Sequence, residues 1–124
     1  MSDGGSPRAR LGQRAEEAVV RYLENAGCSI LDRNVKLGRL EIDIVARRAE
    51  VILVVEVRTR GAGAWTTGLG SMSMAKRERI RRAGQRLWRD RFKADPSVER
   101  MRFDAASVTF DGDRAHIDYV VAAF

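Results

Sequence analysis

Residues 41–60, EIDIVARRAEVILVVEVRTR, decide the fold of this chain. They contain two apolar-rich strand candidates joined by a short polar turn, and the second opens with the most hydrophobic run of the chain, VILVV at residues 51–55. A run of this kind is typical of a central strand that is buried on both faces. Acidic residues interrupt both strands, and a carboxylate near a buried strand is costly unless it is paired or binds a cation. The pattern therefore marks this hairpin as the candidate functional site.

The spacing predicts that the acids share one face of the hairpin. The two strands are too close in sequence for a crossover helix, so they must pair in the antiparallel sense. With an even-numbered loop, cross-strand partners have odd-summed numbers, and residues two apart point to the same face. We expect the first helix to cover the apolar part of the acidic face and to end short of the acids. The residues of that face are Glu41, Asp43, Val45, Ile52, Val54, Glu56 and Arg58, and those of the opposite, wholly apolar face are Ile42, Ile44, Val51, Leu53, Val55 and Val57.

Length and composition indicate one globular domain. The chain has 124 residues, 44% of them hydrophobic, which suffices for one core but not for two. No apolar run approaches the ~20 residues of a membrane span, and residues 1–10 lack the apolar stretch of a secretory signal, so we expect a cytoplasmic protein. A single cysteine, Cys28, excludes an internal disulfide and a cysteine-rich zinc site and is expected to be a small buried residue.

The positive charge of the chain is concentrated in one segment. The chain carries 23 Lys and Arg against 17 Asp and Glu, a net charge of +6. Residues 76–93 contain nine basic and two acidic residues, a net charge of +7, so the rest of the chain has a net charge of −1. This distribution is expected of a surface that binds a polyanion such as nucleic acid. A solvated helix face has the same composition, and charge alone does not choose between the two.

Apolar periodicity predicts the element order α-β-β-β-α-β-β. It indicates a helix that begins at Leu11 and stops at Gly27, and a second helix over residues 74–92 with Ser73 as its N-cap. Strands are predicted over residues 28–36, 41–47, 51–60, 102–110 and 115–121, with a loop over residues 61–71. We therefore expect an α/β (α+β) fold with a mixed central sheet and flanking helices. A disordered basic tail is expected over residues 1–10, before a single domain over residues 11–124.

Asp43 and Glu56 have the spacing of a metal-dependent nuclease site. Two carboxylates on adjacent strands can converge on one hard divalent cation, which prefers oxygen ligands. Arg58 lies two positions after Glu56 and stays on the same face, where a cationic side chain can contact the scissile phosphate or its attacking water. An acid, a turn, and then Glu-x-Lys or an equivalent is the pattern of nucleases with a restriction-endonuclease-like fold. The expected cofactor is Mg²⁺ or Mn²⁺, with Asp43 and Glu56 as its ligands.

Short motifs spread along the chain carry a resemblance to a known family. They are Leu11-Gly12, Glu16, Tyr22-Leu23, Arg33-Asn34, Glu41-Ile42-Asp43, Val55-Glu56-Val57-Arg58, Lys76, Arg102-Phe103-Asp104 and Ala123-Phe124. In these the chain resembles the small bacterial YraN-like proteins (UPF0102), an uncharacterised group regarded as endonuclease-like. The resemblance implies a restriction-endonuclease-like, PD-(D/E)xK fold related to Holliday-junction resolvases. It also implies metal binding by Asp43 and Glu56, a supporting acid at Glu16 and a catalytic cation at Arg58.

Two positions depart from the pattern of that family. The family has Gly-Glu-Ile-Asp where this chain has Leu40 before Glu41, and Glu-Val-Lys where this chain has Glu56-Val57-Arg58. A lysine can shift its pKa and help to activate water, whereas an arginine stays protonated and acts as a charge and a hydrogen-bond fork. Arg58 is therefore suited to holding a phosphate and not to accepting a proton.

Three functions fit these observations. The first is a metal-dependent endonuclease that hydrolyses DNA phosphodiester bonds, with branched or single-stranded DNA among its candidate substrates. The second is a nucleic-acid-binding protein on a nuclease scaffold, without turnover. In the third, Asp43 and Glu56 merely form ion pairs with Arg58 and Arg60. The sequence leaves the oligomeric state open, and a homodimer is one possibility.

Further residues complete the predicted site. Glu16 lies at the edge of the apolar stripe of the first helix, where it either reaches the site or simply bounds the stripe. Glu41 and Trp65 are accessory candidates, and Trp65 can either stack on a base or close over an edge of the core. Contacts to the DNA backbone, without sequence readout, are expected from Lys76, Arg77, Arg81, Arg82, Arg86 and Arg60.

Overall fold

The chain folds into a five-stranded mixed sheet with one helix on each face. The structure, a computed structural model, describes residues 6–60 and 72–124, apart from the side chains of residues 8 and 60. No helix in these described ranges is long and apolar enough to span a membrane. The elements are α1 (Pro7–Asn25), β1 (Ser29–Leu37), β2 (Leu40–Arg48), β3 (Val51–Arg60), α2 (Met74–Leu87), β4 (Arg100–Asp111) and β5 (Arg114–Val120).

The element order and the mixed sheet confirm the sequence prediction. Neighbouring strands follow the order β1-β2-β3-β4-β5, and all pairs are antiparallel except β3 and β4, which run parallel. Helix α2 lies in the crossover that a parallel pair requires. It continues as a π-helical turn, Trp88–Phe92, so the helix predicted over residues 74–92 is present in two parts. Ser73 caps α2 as predicted, because its hydroxyl accepts a hydrogen bond from the Lys76 N–H at 3.1 Å.

Helix α1 begins at Pro7 and not at Leu11, so residues 7–10 are helical and do not belong to a disordered tail. The Ser6 hydroxyl accepts a hydrogen bond from the Ala9 N–H at 3.1 Å. Pro7 occupies the first helical position, where its missing N–H removes no helical hydrogen bond. Both are start signals that apolar periodicity does not detect. Residues 1–5, the remainder of the expected tail, lie outside the described residues.

Strands β2 and β3 pair in the predicted register. Ile44 lies opposite Val55 and Arg48 lies opposite Val51, so partner numbers have an odd sum and the loop consists of residues 49–50. Strand β3 lies between β2 and β4, and its residues from 51 to 56 are all buried. The VILVV run is therefore a central strand covered on both faces, as its composition indicated.

The expectation that the first helix covers part of the acidic face is wrong. Helix α1 packs on the wholly apolar face, which includes Ile44 and Leu53, and α2 covers the acidic face, which includes Val45 and Ile52. The apolar face needs a long apolar stripe, which α1 has, whereas the shorter buried stripe of α2 leaves its charged first turn beside the acids. Ile42 is an exception to the alternation: it packs with the α2 cluster, at the end where β2 no longer pairs with β3.

A buried carboxylate ties the C-terminal residues to the sheet. Asp104 on β4 is fully buried. It accepts hydrogen bonds from the Arg102 guanidinium at 2.9 and 3.0 Å, from the Tyr119 hydroxyl at 2.6 Å and from the Ala122 N–H at 2.9 Å. A buried charge is stable in a protein when it is paired and hydrogen-bonded in this way. The Arg102-Phe103-Asp104 motif therefore has a structural role, since it joins β4 to β5 and to the chain end.

Replacing Asp104 with asparagine should lower the free energy of unfolding by about 2–4 kcal/mol, because the change leaves a partly buried guanidinium without its charge partner. Arg102 is 24% exposed, so water screens part of the loss. Urea unfolding of both proteins measures the difference. Asp118→Asn, at an exposed aspartate of β5, is the matched control and should stay within about 0.5 kcal/mol of the natural protein. Equal effects of the two changes would contradict the structural role of Asp104.

Candidate functional site

Strands β2 and β3 part at the end of the hairpin that carries the acids, and we call this point the strand fork. The paired residues end at Ile44 and Val55. Beyond them the Asp43 carboxylate takes the place of a strand carbonyl, since its Oδ2 accepts a hydrogen bond from the Val57 N–H at 2.8 Å. The N–H and C=O of a strand residue point to the same edge, so the Val57 carbonyl also faces the fork. The fork therefore presents a side-chain carboxylate and a backbone carbonyl side by side.

A cavity of about 260 Å³ opens at the strand fork, and we call it the acid pocket. Glu41 and Asp43 reach it from β2, and Glu56 reaches it from β3. Glu56 is only 6% exposed, whereas Glu41 is exposed. The structure thus brings together the acids that the alternation of the hairpin assigned to one face. The residues that line the acid pocket are Arg39, Leu40, Glu41, Asp43, Glu56, Lys76, Arg79 and Ile80.

The cation that contacts Glu56 comes from α2. Lys76 Nζ lies 2.9 Å from Glu56 Oε1, and the two side chains are 39% and 7% exposed. The sequence placed Lys76 among the residues expected to contact DNA. Its side chain instead turns toward the sheet because it lies one helical turn before Ile80, which is buried on the acidic face. Arg58, the predicted catalytic cation, is not among the described residues that line this pocket.

Glu56 is a carboxyl group with a strongly altered acidity. Its burial, followed by the negative charge of Asp43, raises the pKa of Glu56 from 4.5 to about 8. A hydrogen bond between the two carboxyl groups raises this pKa further, while Lys76 lowers it without offsetting the other causes. Near neutral pH, Glu56 is therefore largely protonated while its only cationic contact is Lys76, within the described part of the chain.

Glu16 approaches Asp43 from the α1 side of the sheet. Its carboxylate lies 3.8 Å from the Arg33 guanidinium, and its side chain is 17% exposed. Burial and the charge of Asp43 raise the pKa of Glu16, while a hydrogen bond with Asn34 and the charge of Arg33 lower it. Across residues 6–60 and 72–124, no group of three or more His, Cys, Asp or Glu side chains is placed to hold a metal ion. The structure therefore offers a carboxylate pair, Asp43 and Glu56, with Glu16 as a more distant neighbour.

Arg58 lines a second and more open cavity beside the acid pocket. This cavity, which we call the side pocket, has a volume of about 440 Å³ and is formed by Val57, Arg58, Thr59 and Lys76. Lys76 lines both pockets, so the two meet at its side chain. Arg58 is half-buried, and its position two residues after Glu56 keeps it on the α2 side of the sheet.

The predicted DNA contacts of α2 are mostly at the surface. Arg81, Arg82 and Arg86 are exposed. Arg82 and Arg86 lie 3.9 and 3.8 Å from Glu78 and Asp90, each one helical turn away. Exposed pairs of this kind contribute only about 0.3–0.5 kcal/mol, so phosphates can compete for these arginines. The surface is compatible with the binding of a polyanion along α2.

Two arginines that sequence reasoning missed border the acid pocket. Arg79 follows from the helical spacing of α2, but Arg39 lies in the turn between β1 and β2, and no sequence signal links that turn to the pocket. Arg77, predicted to contact DNA, is half-buried on α2. The side chain of Arg60 and the whole of Trp65 lie outside the described residues.

Comparisons with known proteins identify relatives but no function. The model of a family described as "Uncharacterised protein family UPF0102" matches residues 15–108. A UPF0102 protein of Sorangium cellulosum is 54% identical over 129 residues, with 100% of this chain and 90% of the relative covered. A UPF0102 protein of Myxococcus xanthus is 38% identical over 117 residues, with 94% and 90% covered.

One solved structure shows a limited likeness. It is that of Pyrococcus furiosus SfsA in complex with Ca²⁺, at 15% identity and a TM-score of 0.38. The match covers 89% of this chain, which spans 60% of the SfsA chain. Such a low TM-score does not establish a common fold.

The raised pKa of Glu56 predicts that stability falls with pH when no divalent metal is present. The folded protein binds a proton that the unfolded chain has already released between pH 4.5 and about 8. Its contribution to stability is complete below pH 4.5 and is lost as the pH rises through about 8. We expect a loss of the order of a few kcal/mol, measured by urea unfolding in EDTA.

Glu56→Gln should flatten this dependence, because glutamine does not titrate. Glu17→Gln, at an exposed glutamate of α1, should leave it unchanged. The same pH dependence in all three proteins would show that Glu56 does not hold the proton.

Proposed function

We propose that this chain, which belongs to the uncharacterised protein family UPF0102, is a divalent-metal-dependent phosphodiesterase that acts on DNA from a restriction-endonuclease-like scaffold. One observation carries the proposal: Asp43 and Glu56, from adjacent strands, meet Lys76 in a pocket at the strand fork. A carboxylate pair and an amine in one cavity, beside a helix rich in arginine, are the groups that hydrolysis of a phosphodiester requires.

The carboxylate pair fits a hard divalent cation. The negative charge of Asp43 raises the pKa of Glu56, and a cation between the two groups would relieve this repulsion. Asp43 and Glu56 would hold the ion, with the Val57 carbonyl as a third oxygen that faces the fork. Few protein ligands suit Mg²⁺, which keeps several waters in most sites. When bound, the cation supplies Lewis acidity, which activates water and offsets charge on the phosphate.

Lys76 supplies the amine that the sequence motif lacks at Arg58. It contacts the same carboxyl group that a Glu-x-Lys lysine would accompany, although it comes from α2 and not from β3. A lysine amine can change its protonation state and rotate its donors, whereas a guanidinium cannot be deprotonated. Lys76 therefore orients the attacking water or the phosphate. Arg58 acts only through its charge and its hydrogen bonds.

The exposed arginines of α2 hold the nucleic-acid backbone. Arg81, Arg82 and Arg86 are on the surface of the helix whose first turn carries Lys76 into the acid pocket. Arg39 and Arg79 border the pocket and extend this positive surface to its rim. Contacts of this type position a polyanion without reading its sequence. The substrate is therefore drawn to the rim by charge and placed by the pocket.

A second candidate function is DNA binding without turnover. The observation that favours it is the ion pair itself, because Lys76 already occupies the cation-facing side of Glu56 at 2.9 Å. The carboxylates then stabilise the lysine and keep the two strands apart, and the arginine surface alone contacts nucleic acid. The two candidates share the binding surface and differ in the fate of the phosphodiester bond.

Substitutions in the acid pocket should abolish cleavage of DNA. With Mg²⁺ or Mn²⁺ and branched, single-stranded and linear duplex substrates, Glu56→Gln, Asp43→Asn and Lys76→Met should each lower the rate by about 100-fold or more. Glu24→Gln, at an exposed glutamate of α1, is the control and should cleave at the natural rate. Cleavage that survives Glu56→Gln would rule out the proposed site.

Arg58→Lys distinguishes the two cations of the site. If Lys76 is the amine, a second lysine adds nothing to the chemistry, and the rate should not rise by more than about 3-fold. A larger increase would mean that the amine belongs at residue 58. A natural protein that binds DNA but cleaves none of the substrates with either metal would support the second candidate.

DNA binding should fall steeply with salt. Each phosphate contact contributes about 0.9 to the slope of log K against log salt for duplex DNA, so Arg81→Gln and Arg82→Gln should each lower the slope by up to that amount. Fluorescence anisotropy over a salt series measures the slope. Arg114→Gln, at an exposed arginine of β5, should leave it unchanged. Binding that does not depend on salt would remove both candidates.

A further inference from the structure

The side pocket is a basic cavity that the proposed reaction does not use. It joins the acid pocket at Lys76 and is formed otherwise by Val57, Arg58 and Thr59. Its volume of about 440 Å³ lies within the range of about 300–1,000 Å³ that is typical of small-molecule sites. It has two cationic side chains and no carboxylate among the described residues that line it. A cavity of this size and charge suits an anionic group larger than a single ion.

The strand sets the distance between the two pockets. Glu56 and Arg58 are two residues apart on one face of β3, which corresponds to about 6.6 Å along the strand. Consecutive phosphates of an extended nucleic-acid strand are separated by a comparable distance. A phosphate beside Glu56 would therefore place the next phosphate of the same strand beside Arg58.

The floor of the side pocket also offers neutral donors. Backbone groups of alternate strand residues face the same edge, so the Thr59 N–H points to the edge at which the Val57 N–H meets Asp43. Ser107 on β4 lies beside Arg58 in the parallel register and therefore on the same face of the sheet. Its hydroxyl is buried and has no hydrogen-bond partner within the described part of the chain. A buried polar group without a partner is rare and is often satisfied by a ligand.

From these observations we infer that the side pocket binds the phosphate adjacent to the scissile one, with Arg58 and Lys76 as its cations. The inference rests on the proposed function and defines its substrate more closely: a strand with consecutive phosphodiesters, and not an isolated phosphate ester. Arg58 is then a specificity residue that measures the spacing of the backbone. The arginine in place of a lysine follows from this role, because a guanidinium holds a phosphate oxygen pair with two parallel hydrogen bonds.

Phosphate titration of the metal-free protein tests the side pocket without any turnover. Inorganic phosphate should shift the backbone amide resonances of Val57 and Thr59 in a saturable manner, as followed by ¹H–¹⁵N NMR. Arg58→Gln should abolish these shifts, and Arg58→Lys should retain them with at least about threefold weaker affinity. Arg21→Gln, at an exposed arginine of α1, should bind like the natural protein. Shifts that persist in Arg58→Gln, or that never saturate, would overturn the inference.

Cleavage of short substrates tests the spacing. The natural protein should cleave a trinucleotide with two phosphodiesters at least about tenfold faster, in kcat/KM, than a dinucleotide with one. Arg58→Gln should lose this preference while it still cleaves the dinucleotide. An equal preference in both proteins would show that Arg58 does not hold the second phosphate.

The two experiments separate the inference from the proposed function. If no substrate is cleaved but phosphate still saturates at Val57 and Thr59, the proposed reaction is wrong and the anion site stands. If DNA is cleaved and phosphate leaves these resonances unmoved, the reaction stands and the side pocket is not a phosphate site. Arg58→Lys keeps the charge at residue 58, so a loss of shifts in both Arg58 variants would count against a charge-based site.

Discussion

The hydrogen bond from the Val57 N–H to the Asp43 carboxylate is the interaction on which the site depends. A carboxylate in place of a strand carbonyl ends the pairing of β2 with β3 at Ile44 and Val55, and the strands part there. The gap between them is the acid pocket, and the Glu56 side chain is buried at its wall. Without this substitution the ladder would continue and the acids would lie flat on a closed sheet. The same contact that closes the hairpin therefore opens the cavity.

Charge compensation explains why α2 starts with basic residues. Positive charges in the first turn of a helix oppose its dipole, so Lys76 is unfavourable for the helix in isolation. Its contact with Glu56 offsets that cost, because the acidic face would otherwise bury carboxylates without a cation. Asp104 shows the other solution in this fold, in which a fully buried carboxylate is satisfied by fixed donors around it. One carboxylate has saturated hydrogen bonds and stabilises the fold. The other retains an altered acidity and is suited to chemistry.

The sequence predicted the fold better than it predicted the contacts of the site. The hairpin register followed from alternation and an even loop, and Asp43 and Glu56 were placed on one face for that reason. The sides taken by the helices did not follow, because they depend on where β4 joins the sheet, and local periodicity carries no information on strand order. The contact between Lys76 and Glu56 was missed for a related reason. It joins two elements through a crossover whose geometry the sequence does not specify, and the helical spacing of Ile80 was its only signal.

The parallel pairing of β3 with β4 also sets an order of folding. Strands β1, β2 and β3 pair through short turns, whereas β4 must find β3 across the segment that contains α2. Contacts between residues far apart in sequence form late because closing a long loop costs entropy before any contact is made. We expect the three-stranded meander to be protected first, in an order that pulse-labelled hydrogen exchange would reveal. The acids are then in place before their lysine arrives, so a partly folded chain presents an uncompensated acidic surface. The site becomes electrically balanced only in the step that completes the sheet.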